Sequence, residues 1–272
     1  MFEQPGAVDN GAQVNLAQTF RIEAAGETNV GRKRGHNEDN FAILAEFGLF
    51  IVADGMGGHA CGEVASKIAI DTMQEFFKDT ADDPEKTWPY KLDRTKGYEE
   101  NRLIMGIKLA NLRIYDTAQR DSKKRGMGTT FAGIFVLATG TFVAHVGDSR
   151  VYRFRDRQLE LLTEDHSLLN EYIKMGRLTP DEIERFPHKN VIMRALGMKE
   201  TVKVDTRFEE PRLGDIFLIC SDGLTGPVSD EEMTRILSEN PEIKIAGARL
   251  IEKANENGGP DNITCVLARL VE

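Results

Sequence analysis

Three apolar runs in this chain end in aspartate at a tight turn: FIVAD at Asp54, FVAHVGD at Asp148 and FLICSD at Asp222. A fourth aspartate, Asp261, follows Gly258-Gly259-Pro260 and leads directly into the apolar run that begins at Ile263. One aspartate after a strand is ordinarily a turn residue or a helix cap. Four at the ends of apolar strands are a stronger constraint. Clustered carboxylates repel one another, and burying them costs several kcal/mol each unless cations compensate. Hard divalent ions such as Mg²⁺ or Mn²⁺ take such oxygen ligands. Histidine is scarce near these turns apart from His59 and His145, which argues against zinc. Glycines at 55, 57, 58 and 223 let the chain turn sharply and let a ligand approach the backbone.

The remaining pattern sets the fold class. Short runs rich in β-branched and aromatic residues read as strands: Phe41 to Ala45, Leu49 to Ala53, Thr129 to Leu137, Thr141 to Val146, Val151 to Phe154, Leu159 to Leu162, Ile216 to Cys220 and Ile263 to Leu270. Between them, Val64, Ala65, Ile68, Ala69, Met73, Phe76 and Phe77 recur at helical spacing, as do Leu103, Ile107, Ala110 and Ile114. These two helices are expected to pack as an antiparallel pair. Ser229 followed by Glu232 forms a capping box, and a last helix runs from about Pro241 to Asn255. Consecutive strands interrupted by helix pairs favour an α+β fold, with antiparallel sheets covered by helices, over regular βαβ alternation.

A single catalytic domain is expected over 21–272, after a loose extension at 1–20. Ser167 to Arg194 is polar and proline-containing and reads as a flap inserted between strands. The net charge of -9 argues against nucleic acid as a partner. The three cysteines form no CxxC pair, so a reducing cytoplasm fits, with Cys220 and Cys265 as buried hydrophobes. The start, MFEQPGAVDN, lacks the features of a signal peptide, and no apolar run reaches the roughly 20 residues that span a bilayer, so no membrane association is expected.

Two ions about 4 Å apart can hold a bridging hydroxide and polarise a phosphoryl oxygen. Such chemistry also needs a positive clamp, and Arg34 stands just ahead of Glu38 and Asp39 in RGHNED. The segments RGHNED, ADGMGGHACGE, MGTT, VGDSRVYR, EDHS, CSDGL and GGPDNIT occur in the order seen in metal-dependent protein phosphatases of type 2C. The chain resembles that family from about Thr28 to Val271, and the DGMGGH form resembles its bacterial branch. The resemblance implies a β-sandwich flanked by helix pairs and hydrolysis of phosphoserine or phosphothreonine on proteins by in-line attack of a bridging hydroxide. It implies two Mn²⁺ or Mg²⁺ ions, with a weaker third. Asp54 would bridge the first two, the carbonyl of Gly55 would add a ligand, and Asp222 and Asp261 would complete the carboxylates. Asp148 would hold the third ion together with Asp222. Glu38 and Asp39 would hold metal-bound waters, one of them ligating directly in the alternative, and Arg34 would bind the phosphate. Expected partners are phosphoproteins, including a serine/threonine kinase or its targets, with the phosphatase itself a monomer. Eukaryotic members carry a histidine two residues beyond the bridging aspartate as general acid. Here that place is Met56, leaving His59 or a water at the third site as the alternatives.

Overall fold

The computed structural model describes residues 21–57, 61–81, 91–179, 182–183, 185–187 and 191–272. The expected extension over 1–20, His59, the linker around Trp88 and part of the flap lie outside these residues. In chain order come β1 (Arg21–Asn29), β2 (Asn40–Leu44), β3 (Leu49–Ala53), β4 (Gly55–Met56), α1 (Cys61–Asp79), α2 (Tyr98–Arg120), β5 (Gly128–Thr129), β6 (Phe131–Leu137), β7 (Gly140–Val146) and β8 (Arg150–Arg155). They are followed by β9 (Gln158–Leu161), α3 (Leu168–Lys174), β10 (Asp205–Glu209), β11 (Ile216–Cys220), α4 (Asp222–Thr225), α5 (Asp230–Glu239), α6 (Ile243–Glu256) and β12 (Ile263–Val271).

The strands form two five-stranded sheets, β1-β12-β11-β8-β9 and β10-β7-β6-β3-β2, and a small ribbon of β4 and β5. Every pairing is antiparallel. Side chains alternate across a strand, and in the central strands both faces are covered. In β3, Leu49, Ile51 and Ala53 join the cluster formed with α1 and α2, while Phe50 and Val52 join the cluster between the sheets. In β11, Ile216, Leu218 and Cys220 face α5 and α6, while Phe217 and Ile219 meet Phe50 and Val52 in the middle. The result is the four-layer helix-sheet-sheet-helix sandwich implied by the family resemblance. Each large side chain buried this way contributes about 1.5–3 kcal/mol.

The two long helices run antiparallel. Arg102 of α2 lies 4.6 Å over the ring of Phe77 and donates to the carbonyl of Phe77 and the hydroxyl of Thr80. Farther along α2, Gly106 lies against Met73 and Phe76, and Arg113 pairs with Glu75. Phe77 in turn meets Phe135 of β6 edge-on, with ring centroids 5.1 Å apart, which seats the pair on its sheet. The capping box forms as expected, with Ser229 and Glu232 each bonding the other's backbone.

Beyond the short ribbon strand β4, where a turn is expected, the strands β1 and β10 are additional to the expected set, and α6 begins at Ile243 rather than near Pro241. β1 and β10 occupy sheet edges, where one face meets solvent and charged residues replace the apolar run. No helix among the described residues is long and apolar enough to cross a membrane. All three cysteines are buried; the thiol of Cys61 donates to the carbonyl of Lys123 at 3.2 Å, and burial pushes the thiols of Cys220 and Cys265 up, away from reactivity.

Candidate active site

Asp54 directly follows β3, and the MGTT segment holds its backbone. The amide of Thr130 and the hydroxyl of Thr129 both donate to the carbonyl of Asp54, each at 2.8 Å. The amide of Asp54 donates to the hydroxyl of Thr130 at 3.0 Å, and that hydroxyl lies 2.7 Å from Ser149, the neighbour of Asp148. One threonine thus ties together two aspartate-bearing turns. Thr130→Val leaves the buried amide of Asp54 without its acceptor, a loss of about 1–3 kcal/mol. Thermal unfolding should show that loss, and metal titration should show affinity reduced roughly 10- to 100-fold, as for other groups that orient ligands.

Gly55 admits no side chain: a Cβ there would stand 2.2 Å from the carbonyl oxygen of Gly62 and 2.4 Å from that of Glu38. The RGHNED segment is held by Asn262, the neighbour of Asp261. Its side-chain oxygen accepts from the amide of Glu38 at 2.8 Å, and its nitrogen donates to the carbonyls of Val30 and His36. Glu38 also accepts from the amide of Gly62 at the start of α1. Asp39 accepts from Ser221 at 2.8 Å, and Asp222 opens α4 directly after that serine. Gly223 is a close approach, since its Cβ would lie 1.9 Å from the carbonyl oxygen of Asn262. Arg34 reaches Asp261 at 2.6 Å and remains half-exposed. Met56 lies in the β4–β5 ribbon opposite Gly128.

The carboxylates therefore gather from five separate segments, and their electrostatics show how near they are. Burial, then Asp39, Asp222, Asp148 and Asp261, hold the carboxyl of Asp54 well above the usual range. Burial pushes Asp39 to about 6 against the bonds from Thr264 and Ser221, with Asp222 and Asp261 adding to the rise. Burial and then Asp222 push Asp148 to about 7, and burial with Asp261 raises Asp222. Asp39 and Asp148 each keep one buried carboxylate oxygen, Oδ1, with no hydrogen-bond partner. Unsatisfied anionic oxygens facing like charge fit divalent cations. No three of these carboxylates have ligand atoms mutually within 4.8 Å; among the described residues only His145, His166 and Asp205 do. Ligands shared between two ions about 4 Å apart span more than the shell of one ion.

A cleft of about 410 Å³ opens over this cluster, lined by Arg34, Asp148, Asp222, Asp261, Arg150 and Asp165 among others. Arg150 was not singled out from sequence. It forks onto Asp165 at 2.9 and 2.7 Å and donates to Tyr152 at 3.1 Å. The signal was present, because both partners lie in the VGDSRVYR and EDHS segments, but only the fold sets them side by side.

The family described as protein phosphatase 2C matches residues 30–268. The chain belongs to that family. It is 36% identical over 249 residues to the serine/threonine phosphatase stp of Listeria monocytogenes, covering 90% of this chain and 95% of that protein. Among solved structures, the serine/threonine phosphatase PstP/Ppp of Mycobacterium tuberculosis superposes with a TM-score of 0.81 at 36% identity, covering 92% of this chain and 99% of that one. The catalytic domain of PstP in complex with two manganese ions gives 0.76 at 34% identity over 93% and 100% of the two chains. This phosphatase of type 2C is accordingly a serine/threonine protein phosphatase, and its antiparallel sandwich is the fold of these neighbours.

Proposed function

We propose that this phosphatase hydrolyses phosphoserine and phosphothreonine in proteins with a hydroxide shared between two divalent ions, Mn²⁺ or Mg²⁺, and that it opposes a cytoplasmic serine/threonine kinase as a monomer. The observation that carries the reading is the buried carboxylate cluster, with Oδ1 of Asp39 and Asp148 unpartnered and Arg34 at the mouth. Asp54, the carbonyl of Gly55, Asp222 and Asp261 would hold the pair of ions, and Asp148 with Asp222 would hold a weaker third. When bound, the ions supply the nucleophile by lowering the pKa of water and neutralise charge on the phosphoryl oxygens. The manganese pair in the PstP catalytic domain supports the choice of ion.

The chain's own groups do the rest. Arg34 forks onto the substrate phosphate, whose tetrahedral oxygens present two acceptors to the planar guanidinium. Glu38 and Asp39 orient water by accepting hydrogen bonds from it. Attack in line with the seryl or threonyl oxygen forms a new P–O bond as the ester P–O bond breaks, the leaving alkoxide takes a proton from a water in the cleft, and inorganic phosphate departs.

Arg34→Ala should raise KM for a phosphothreonine peptide about 10- to 100-fold, the worth of a charge-assisted bond. Steady-state kinetics with Mn²⁺ checks this, and an unchanged KM removes the clamp. A cyclic nucleotide should be turned over far more slowly than the peptide; the reverse preference overturns the assignment of substrate class.

A further inference from the structure

His166 and Asp205 play no part in the mechanism above, yet both are tied to it. His166 and Gly147, the residue before Asp148, are bonded in both directions: the amide of His166 donates to the carbonyl of Gly147 at 2.9 Å, and the amide of Gly147 donates to Nδ1 of His166 at 3.0 Å. Gly147 has φ +115°, and a Cβ would fall 2.7 Å from Thr130, so its peptide has a single seat between the two contacts. On the far side of the ring, Nε2 of His166 lies 3.0 Å from Oδ2 of Asp205.

Because Nδ1 already accepts, Nε2 carries the proton and donates it to Asp205. Arg194 lies 2.9 Å from the same nitrogen and 3.1 Å from Oδ2 of Asp205. Two donors cannot bond each other, so the bond of Arg194 goes to the carboxylate. Lys203 takes the other oxygen of Asp205 at 3.3 Å. The carbonyl of His166 accepts from the amide of Met193 at 2.7 Å. Burial, followed by the neighbouring charge of His145, holds His166 down to about 4, so the ring is neutral in the working range.

The same three groups, His145, His166 and Asp205, are close enough to resemble a metal site. Their hydrogen bonds argue otherwise. The two imidazoles are stacked, with centroids 4.5 Å apart and planes 20° from parallel, so their in-plane lone pairs do not converge. Nε2 of His145 is engaged with the carbonyl of Glu164 at 2.8 Å. Two cationic side chains already neutralise the only carboxylate.

We propose that His166, held in one tautomer by Asp205, is a positioning residue that seats the Gly147 peptide and so aims the Asp148 carboxylate, linking that turn to the end of the flap at Met193 and Arg194. The inference rests on the reading of Asp148 as a cation-binding carboxylate.

The test separates the two nitrogens. Asparagine places its side-chain oxygen near the position of Nδ1, whereas leucine keeps bulk without an acceptor. His166→Leu should lower kcat and weaken the weakest Mn²⁺ site about 10- to 100-fold, with KM for the peptide nearly unchanged. On metal-free protein, hydrogen exchange at the Gly147 amide should accelerate by a similar factor. His166→Asn should restore slow exchange and most of the turnover. Equal behaviour of the two variants in exchange and turnover overturns the proposal. If His166→Leu does not fold, Asp205→Leu against Asp205→Asn makes the same comparison, since only asparagine still accepts from Nε2. Asp148→Asn is the control. If it leaves Mn²⁺ binding intact, the reading of Asp148 fails; if it weakens binding while His166→Leu does not, the positioning role alone fails.

Discussion

Asp54→Asn should abolish turnover and, in the same protein, raise the melting temperature measured in the presence of chelator. The loss of activity follows from removing the carboxylate expected to bridge both ions. Lewis-acid stabilisation of this kind is worth several kcal/mol, so the rate should fall by about 10³ or more. The gain in stability follows from the same geometry. Asp54 is buried among Asp39, Asp222, Asp148 and Asp261, all of which disfavour its ionised form. An amide removes one charge from that group, and its N–H₂ can still bond Asp222, which pairs with Asp54. Each kcal/mol recovered raises the midpoint by roughly 2–4 °C in a domain of this size. Active sites commonly store instability in this way. Calorimetry of both proteins with and without Mn²⁺ checks it: a lower midpoint for the asparagine variant in chelator means that the cluster is not under electrostatic strain.

Removal of metal should also make stability fall as pH rises. For Asp39, at about 6, and Asp148, at about 7, the folded pKa exceeds the ordinary aspartate value of 3.8, and Asp54 and Asp222 are shifted the same way. Between those values the folded chain binds more protons than the unfolded chain, so the free energy of unfolding declines with pH. Their contribution is complete below about pH 4 and is lost as pH rises through the folded values. His166 acts in the opposite sense. Its folded pKa is depressed to about 4 from 6.5, so its contribution is present above 6.5 and lost on acidification. The two effects oppose one another between pH 4 and 6.5. Above 6.5 only the carboxylates still titrate, and the slope there should be plainly negative. At about 1.4 kcal/mol per pKa unit, the carboxylates together amount to several kcal/mol. Denaturant titrations of chelated protein from pH 6.5 to 8 measure the share still lost above 6.5, and saturating Mn²⁺ should flatten the curve. A stability that rises with pH in chelator contradicts the cluster.

Legibility tracked burial. β3 and β11 were readable to the residue because both of their faces are covered and every position is apolar. β1 and β10 lie at sheet edges and carry Arg21, Glu23 and Glu27, or Asp205, Arg207 and Glu209, so no apolar run marks them. The aspartates at 54, 148 and 222 were visible because each ends such a run. Arg150 and His166 lay inside recognised segments, but their roles depend on Asp165 and Asp205, the latter brought beside His145 by the pairing of β10 with β7.

The sequence alone thus pointed to the class of chemistry: four carboxylates at strand ends call for cations wherever the sheets place them, and the order of the seven blocks points to the family. Only the tertiary structure decided which groups share a field. Asp39 meets Ser221, Thr130 joins the turns of Asp54 and Asp148, and His166 seats Gly147 through contacts between segments far apart in the chain. Such contacts follow from strand pairing and sheet stacking, and no local spacing encodes them.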